Sequence, residues 1–243
     1  MKSQTNNAAR FINAYNQIEQ ALKAQNNLKS SLSYTETIRM SARNNSIVRK
    51  YEDDLIDYGR LRNSIVHSAN DNYVIAEPHM EVVEKYEKIM YLVCTPPLAI
   101  DTACVKKEVK VISSSATLKD TMVAMYKTGF SNFPIYNENG MLVGVANAGK
   151  VARLMGHKLY NKENFEEVFN TSIGDIVKVN VQENFYAIAD RKITLDKVLN
   201  LFAENRKLLL IIITTNGTLI EKPIGIITVS DILDINKILD NYQ

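Results

Sequence analysis

The stretch Gly225-Ile-Ile-Thr228-Val-Ser-Asp231 holds residue types whose spacing suits the recognition of a phosphorylated sugar. It follows the apolar run Leu208–Ile213, the Asn216-Gly217 turn and a short connection through Pro223. Ile232, Leu233, Ile235, Ile238 and Leu239 come after it at helical spacing. A strand is therefore expected to end near Ile227 and a helix to begin near Ser230. At such a junction the first amides of the helix lack partners and the positive end of its dipole faces outward, which favours an anion. Thr228 offers a hydroxyl to a phosphate or sugar. Asp231 offers a carboxylate able to accept from two neighbouring ribose hydroxyls. The same Thr-x-x-Asp spacing is also that of a helix capping box, which needs no ligand.

The elements that position this heptad occur twice. Thr117-Leu118-Lys-Asp120 matches Thr194-Leu195-Asp-Lys197, and Asn139-Gly140 matches Asn216-Gly217, both pairs lying 77 positions apart. Gly144 and Gly225 lie 81 apart, so the second copy carries four extra residues around Ile220–Pro223. Two copies in register form an internal repeat. Each reads as alternating short strands and helices. In the first copy these are a strand at Val109–Ile112, a helix at Leu118–Thr128, strands at Phe133–Tyr136 and Leu142–Ala146, a helix from about Lys150, then a more polar segment to about Asn170. In the second they are a strand at Phe185–Ala189, a helix at Leu195–Asn205, strands at Leu208–Thr214 and Ile224–Ile227, and the last helix.

Strand, turn, strand, Gly-h-h-Thr-x-x-Asp, helix resembles the end of a CBS motif, a module that usually comes in pairs and binds adenine nucleotides. The resemblance covers roughly the last 60% of the chain. It implies a tandem α/β module over 96–243, with copy one at about 100–160 and copy two at about 171–243. It implies an adenine resting near Tyr186, Ala187 and Ala189, with Thr228 and Asp231 on the ribose and phosphate. The copies are not equivalent. Copy one has Asn147 where copy two has Thr228, and Lys150 where a carboxylate would stand. Lysine cannot accept from ribose hydroxyls, but it can meet a phosphate as a point charge. Phe130-Ser131-Asn132-Phe133-Pro134 is similar to the family's Ser-x-x-Pro segment near base and sugar, whereas copy two has Lys207-Leu208-Leu209-Leu210-Ile211 there. One competent nucleotide site per chain is expected. Arg191, Lys192, Arg206 and Lys207 are candidate phosphate contacts or a solvated basic face.

Residues 1–95 read as a helical bundle. Phe11, Tyr15, Ile18 and Leu22 make one apolar stripe. Ser33 and Glu36 look like a capping box opening a second helix that weakens at Asn44-Asn45. A third helix is expected from about Ile47 to Val66, with Tyr51, Leu55, Tyr58 and Ile65 on one side. A polar loop, Ser68–Asn72, follows. Pro78 suits the first turn of a fourth helix with the stripe Val82, Tyr86, Ile89 and Val93. Pro96-Pro97 then starts a stiff linker. The overall class is α+β and multidomain, an antiparallel four-helix bundle followed by the paired α/β module.

The third helix ends Leu61-Arg62-Asn63-Ser64-Ile65-Val66-His67. Arg, then Asn, then His five residues after the Arg resembles the signature of HEPN domains, as do the loop that follows and Ile75-Ala76-Glu77-Pro78. HEPN domains are four-helix bundles, and those that keep the pair are often metal-independent endoribonucleases. The resemblance implies His67 as general base on a 2′-hydroxyl, Arg62 as a bidentate phosphate clamp and Asn63 as an orienting group. Positions five apart on a helix point about 140° apart. In the family the site is composite between two protomers, so a homodimer is implied, with RNA as a possible partner. The same residues have structural uses. Arg62 can pair with Glu52, Asp57 or another carboxylate, and His67 can cap the helix end.

The balance of the chain bounds these readings. Net charge is only +2, which gives no electrostatic case for DNA or a membrane surface. Cys94 and Cys104, with three scattered histidines, supply no metal-like spacing. The polar start Met1–Asn7 lacks the apolar core of a signal peptide, and Leu208–Ile213 is too short to span a bilayer. The expectation is a cytoplasmic protein that requires no cofactor or metal and takes AMP, ATP or cyclic di-AMP as a regulatory ligand. Two functions follow: a nucleotide-sensing regulator of a dimeric HEPN-like domain, or an RNA-cleaving enzyme gated by the paired module.

Overall fold

A computed structural model describes residues 7–67, 77–102, 105, 108–179 and 184–242, with His67 and Val179 described in their backbones only. The chain divides into two compact units. One runs to Leu98 and takes in Thr194–Glu204 and the segment from Ile232 onward. The other holds Ala99–Ile193 and Asn205–Asp231. The expected loop Ser68–Asn72, the Ile75-Ala76 pair, Cys104 and the first six residues lie outside the described residues.

The helical unit is built on aromatic and aliphatic stripes. In α1 (Asn7–Gln25), Phe11, Tyr15, Ile18 and Leu22 are all buried. α2 (Tyr34–Ser41) opens on the Ser33–Glu36 capping box, with both of its reciprocal hydrogen bonds made. The single helix expected over 47–66 is instead two, α3 (Ser46–Lys50) and α4 (Glu52–His67). Tyr51 between them has φ −109° and ψ 19°, outside helical values. Glu52, Asp53 and Asp54 then fall in the first turn of a new helix, where carboxylates meet the positive end of the dipole. α5 (Met80–Cys94) begins after His79 as N-cap, so Pro78 precedes the cap rather than sitting in the first turn. Its buried residues include Val83, Tyr86, Ile89 and Val93, with Val83 rather than Val82 completing the stripe.

α1 packs along α5 and also meets α2 and α4. Phe11, Tyr58 and Tyr86 form a ring cluster with centroids 4.7–5.7 Å apart. Tyr15 stacks on Tyr34 at 4.2 Å, and the Tyr34 and Tyr86 hydroxyls meet at 2.9 Å in the interior. Burial raises the pKa of both phenols, so the pair stays neutral and hydrogen-bonded. Two later helices complete this unit, α10 (Leu195–Glu204) and α11 (Ile232–Asn241). The Asn200 side-chain amide donates to the Asn44 carbonyl at 2.7 Å, and both Lys50 and Lys88 donate to Asp240.

The second unit carries two three-stranded sheets of the same topology. The first joins β1 (Ile112–Ser113), β2 (Asn132–Tyr136) and β3 (Leu142–Asn147). The second joins β4 (Tyr186–Ala189), β5 (Leu210–Ile213) and β6 (Gly225–Thr228). In each, the first pair is parallel and the second antiparallel. The repeat read from the sequence is thus a structural repeat, with the turn glycines Gly140 and Gly217 at φ +71° and +75°. Around the first sheet lie α6 (Leu118–Thr128), α7 (Ala148–Tyr160), α8 (Phe165–Asn170) and α9 (Ile173–Val179). α8 occupies the end of the segment expected to be merely polar, and α9 follows just beyond it.

Strand alternation sorts the core into two layers. Phe133, Ile135 and Ala146 face Leu118, Val151, Val168, Ile173 and Val177 from the helices. Tyr136 and Val145 face the other way and pack with Phe185, which precedes β4, and with Leu210, Ile212 and Ile226 of the second sheet. The glycines of the two matched heptads mark close approaches. A Cβ on Gly144 would stand 2.9 Å from Val177, and one on Gly225 would run into the Val105 side chain. The four extra residues of copy two also have a place. Leu142 N–H donates to Leu219 O at 2.7 Å, and the Tyr136 hydroxyl donates to Glu221 O at 2.9 Å, so the insertion ties onto the first sheet.

Candidate nucleotide cleft

The start of β2 and the end of β6 bring the two copies together around a cleft of about 300 Å³. Copy one supplies Phe130, Ser131, Asn132 and Asn147, with Glu108–Lys110 from the segment before β1. Copy two supplies Leu209, Ile226 and Thr228–Ser230. The walls are held locally. Val229 N–H donates to Leu209 O at 2.9 Å, and Ala148 N–H donates to Ser131 O at 2.8 Å. The Asn147 side-chain amide donates to Asn132 Oδ1 at 2.7 Å, and its own oxygen accepts from Lys150 N–H at 3.1 Å as the N-cap of α7. Phe130 stays 39% exposed at the cleft, with the Lys110 ammonium 5.8 Å from its ring centre. An apolar floor, a partly open aromatic face, hydroxyls and a nearby ammonium together suit a small polar ligand with a planar ring.

Of the residues singled out from the sequence, Ser131 and Thr228 line this cleft. Asp231 stands beside Thr228 at the end of the short turn Val229–Asp231, and its Oδ2 accepts from both the Thr228 N–H and the Thr228 hydroxyl, each at 2.7 Å. Half of the capping-box geometry is therefore present: the carboxylate turns back onto the threonine. Lys150 points elsewhere. Its ammonium lies 4.3 Å from the centre of the Phe185 ring, and burial, with Arg153 nearby, lowers its pKa. Tyr186, Ala187 and Ala189 form β4, partly buried and paired with Leu210, Ile211 and Ile213, and do not line the cleft. Arg191, Lys192, Arg206 and Lys207 are exposed and do not line it either. Sequence reasoning did not reach Glu108–Lys110, Leu209, Val229 or Ser230. Their one signal is position: each lies in or close to a strand expected from the sequence.

In the helical unit, the Arg62 guanidinium lies 4.9 Å from the centre of the Tyr15 ring. Its Nη1 donates to Asn63 Oδ1 at 3.3 Å, while its Nε is buried without a hydrogen-bond partner among the described residues. Asp57 pairs with Arg60 at 2.8 Å. His67 is the last helical residue of α4, and its side chain lies outside the described residues. Among the described residues no three His, Cys, Asp or Glu side chains gather as a metal would require, and no helix is long and apolar enough to cross a membrane.

No curated protein matches the chain. Solved structures with similar coordinates include AcuB from Vibrio cholerae, at 15% identity and TM-score 0.45, covering 60% of this chain and 97% of that one. CBSX2 in complex with AMP matches at 16% identity and TM-score 0.45, covering 60% and 99%. CbpB in complex with c-di-AMP matches at 16% identity and TM-score 0.46, covering 65% and 96%. Residues 102–157, the first of the two copies, match the CBS domain family.

Proposed function

We propose that this protein is a regulatory sensor that binds one adenine nucleotide per chain in the cleft between its two α/β copies, with a HEPN-like helical domain as the part it controls. The observation that carries this reading is the meeting of Phe130 and Ser131 from copy one with Thr228 from copy two around a single cleft. Phe130 offers a face for the base, and Ser131 and Thr228 offer hydroxyls to the sugar and phosphate. Asp231, already on Thr228, has further acceptor positions for a ribose hydroxyl, since a carboxylate has about four lone-pair sites. At about 300 Å³ the cleft lies at the small end of ligand sites, which favours a mononucleotide over a cyclic dinucleotide.

Isothermal titration with AMP, ATP and cyclic di-AMP tests it. One site per chain is expected, with AMP or ATP preferred. Asp231→Ala should weaken binding at least about tenfold, Phe130→Ala comparably through lost base stacking, and Thr228→Val less. Failure of wild type to bind any of the three, two equal sites per chain, or an Asp231→Ala protein that binds like wild type would overturn the assignment.

The alternative, a metal-independent endoribonuclease gated by the nucleotide, rests on Arg62, whose buried Nε–H has no acceptor among the described residues.

A further inference from the structure

A second cavity, of about 700 Å³, opens in the α/β unit between α7, α9 and the end of β3. Its floor is aliphatic, with Val151, Leu154, Ile173, Ile176 and Val177 among its lining. Among the described residues no Phe, Tyr or Trp side chain lines it. Base recognition commonly uses aromatic stacking, so this floor suits a chain of methylenes better than a nucleobase. One wall is basic. Lys150, Arg153, His157 and Lys158 all come from α7, against one carboxylate among the described residues, Asp175. Lys158 is already paired with Glu163 at 2.7 Å, and Asp175 with Lys178 at 3.4 Å. Arg153 is exposed at the cavity and makes no ion pair with a described residue. A cavity of this size lies in the range that holds a drug-sized ligand.

We infer that this cavity binds an aliphatic anion, a medium-chain carboxylate whose hydrocarbon lies on the floor and whose head group meets Arg153. The site is separate from the nucleotide cleft but shares Asn147 with it, since that residue lines both. The inference does not depend on the nucleotide reading.

Titration of the full chain with hexanoate, octanoate and decanoate, each below its aggregation concentration, with decanol as the uncharged control, tests the proposal. Saturable binding is expected, tightening up to about fourfold per added methylene until the cavity is full, the equivalent of about 0.8 kcal/mol each. Decanol should bind more weakly than decanoate. Arg153→Glu, on an exposed position that leaves the fold intact, should weaken decanoate at least about tenfold. Ile176→Trp should fill the cavity and abolish binding while leaving AMP affinity unchanged; if it unfolds the protein, Val151→Phe takes its place. The proposal is overturned if decanoate does not saturate, if affinity is flat with chain length, or if Arg153→Glu binds like wild type. Competitive displacement of decanoate by AMP would also overturn it, because the cavity would then be the nucleotide site.

Discussion

Arg62 and Asp231 each have a local use that competes with the chemistry their spacing suggests. The Arg62 guanidinium rests on Tyr15, and the Asp231 carboxylate accepts from Thr228. A cation over an aromatic face contributes about 0.5–1 kcal/mol at an exposed site and more when desolvated. Arg62→Ala should therefore lower unfolding stability by about 1 kcal/mol, measured by denaturant titration, whether or not RNA is a substrate. The nuclease reading asks for more. Wild type should cleave single-stranded RNA in EDTA and leave cyclic phosphate ends, and Arg62→Ala and His67→Ala should each stop it. RNA degraded equally by wild type and His67→Ala would eliminate that reading. The residue types were legible in the sequence, and so were their alternatives. Side-chain direction was not: nothing in the spacing of Arg62 and Tyr15 says that one lies on the other, because the contact joins two helices 47 positions apart.

At the scale of elements, the matched spacings carried the reading. Leu118 and Leu195 open equivalent helices, Gly140 and Gly217 make equivalent turns, and the two sheets share one topology. The facing was not read from the sequence: the structure puts Phe133 and Ile135 on one core layer and Tyr136 on the other. The misses were local. The break at Tyr51 depends on how three following carboxylates weigh against helix continuation, and α8 and α9 are too short to show a period. The four-residue insertion was legible as a length difference, but its role is not. It forms a loop in which the Glu221 carboxylate accepts from Asn216 N–H at 2.8 Å and from the Asn216 side chain, and these bonds, the backbone one foremost, hold its pKa down to about 2. A carboxyl depressed in the folded state stabilises fully above its ordinary pKa of 4.5 and loses that contribution as pH falls through about 2. Glu221→Gln should thus flatten the pH dependence of stability between about 4.5 and 2. A carbon-detected NMR titration of the Glu221 carboxyl should give a midpoint near 2; a midpoint near 4.5 would show that the loop bonds are not made in solution.

For the whole molecule the path of the chain matters more than either unit's contents. The chain passes between the units after Leu98, Ile193, Glu204 and Asp231, so the helical unit is assembled from three separate segments. The turn before α3 is tied to α10 by the Asn200–Asn44 bond, and Lys50 and Lys88 reach Asp240 in α11. Residues 1–95 taken alone would lack both of those helices. The last of the crossings comes directly after Asp231, the carboxylate proposed to meet the ribose, and leads into α11. Unfolding either unit would release segments that enter the other, which couples their stabilities through the backbone itself. The expected outcome is one cooperative thermal transition for the full chain, with calorimetric and van't Hoff enthalpies equal. A nucleotide at about 100 times its Kd should add about 2.7 kcal/mol. For a chain of this size that raises the whole transition by roughly 5–10 °C. Differential scanning calorimetry with and without AMP reads this directly. Two resolved transitions, of which the nucleotide shifts only one, would show that the units unfold independently and that a signal in the cleft has no thermodynamic route along the chain to the helices.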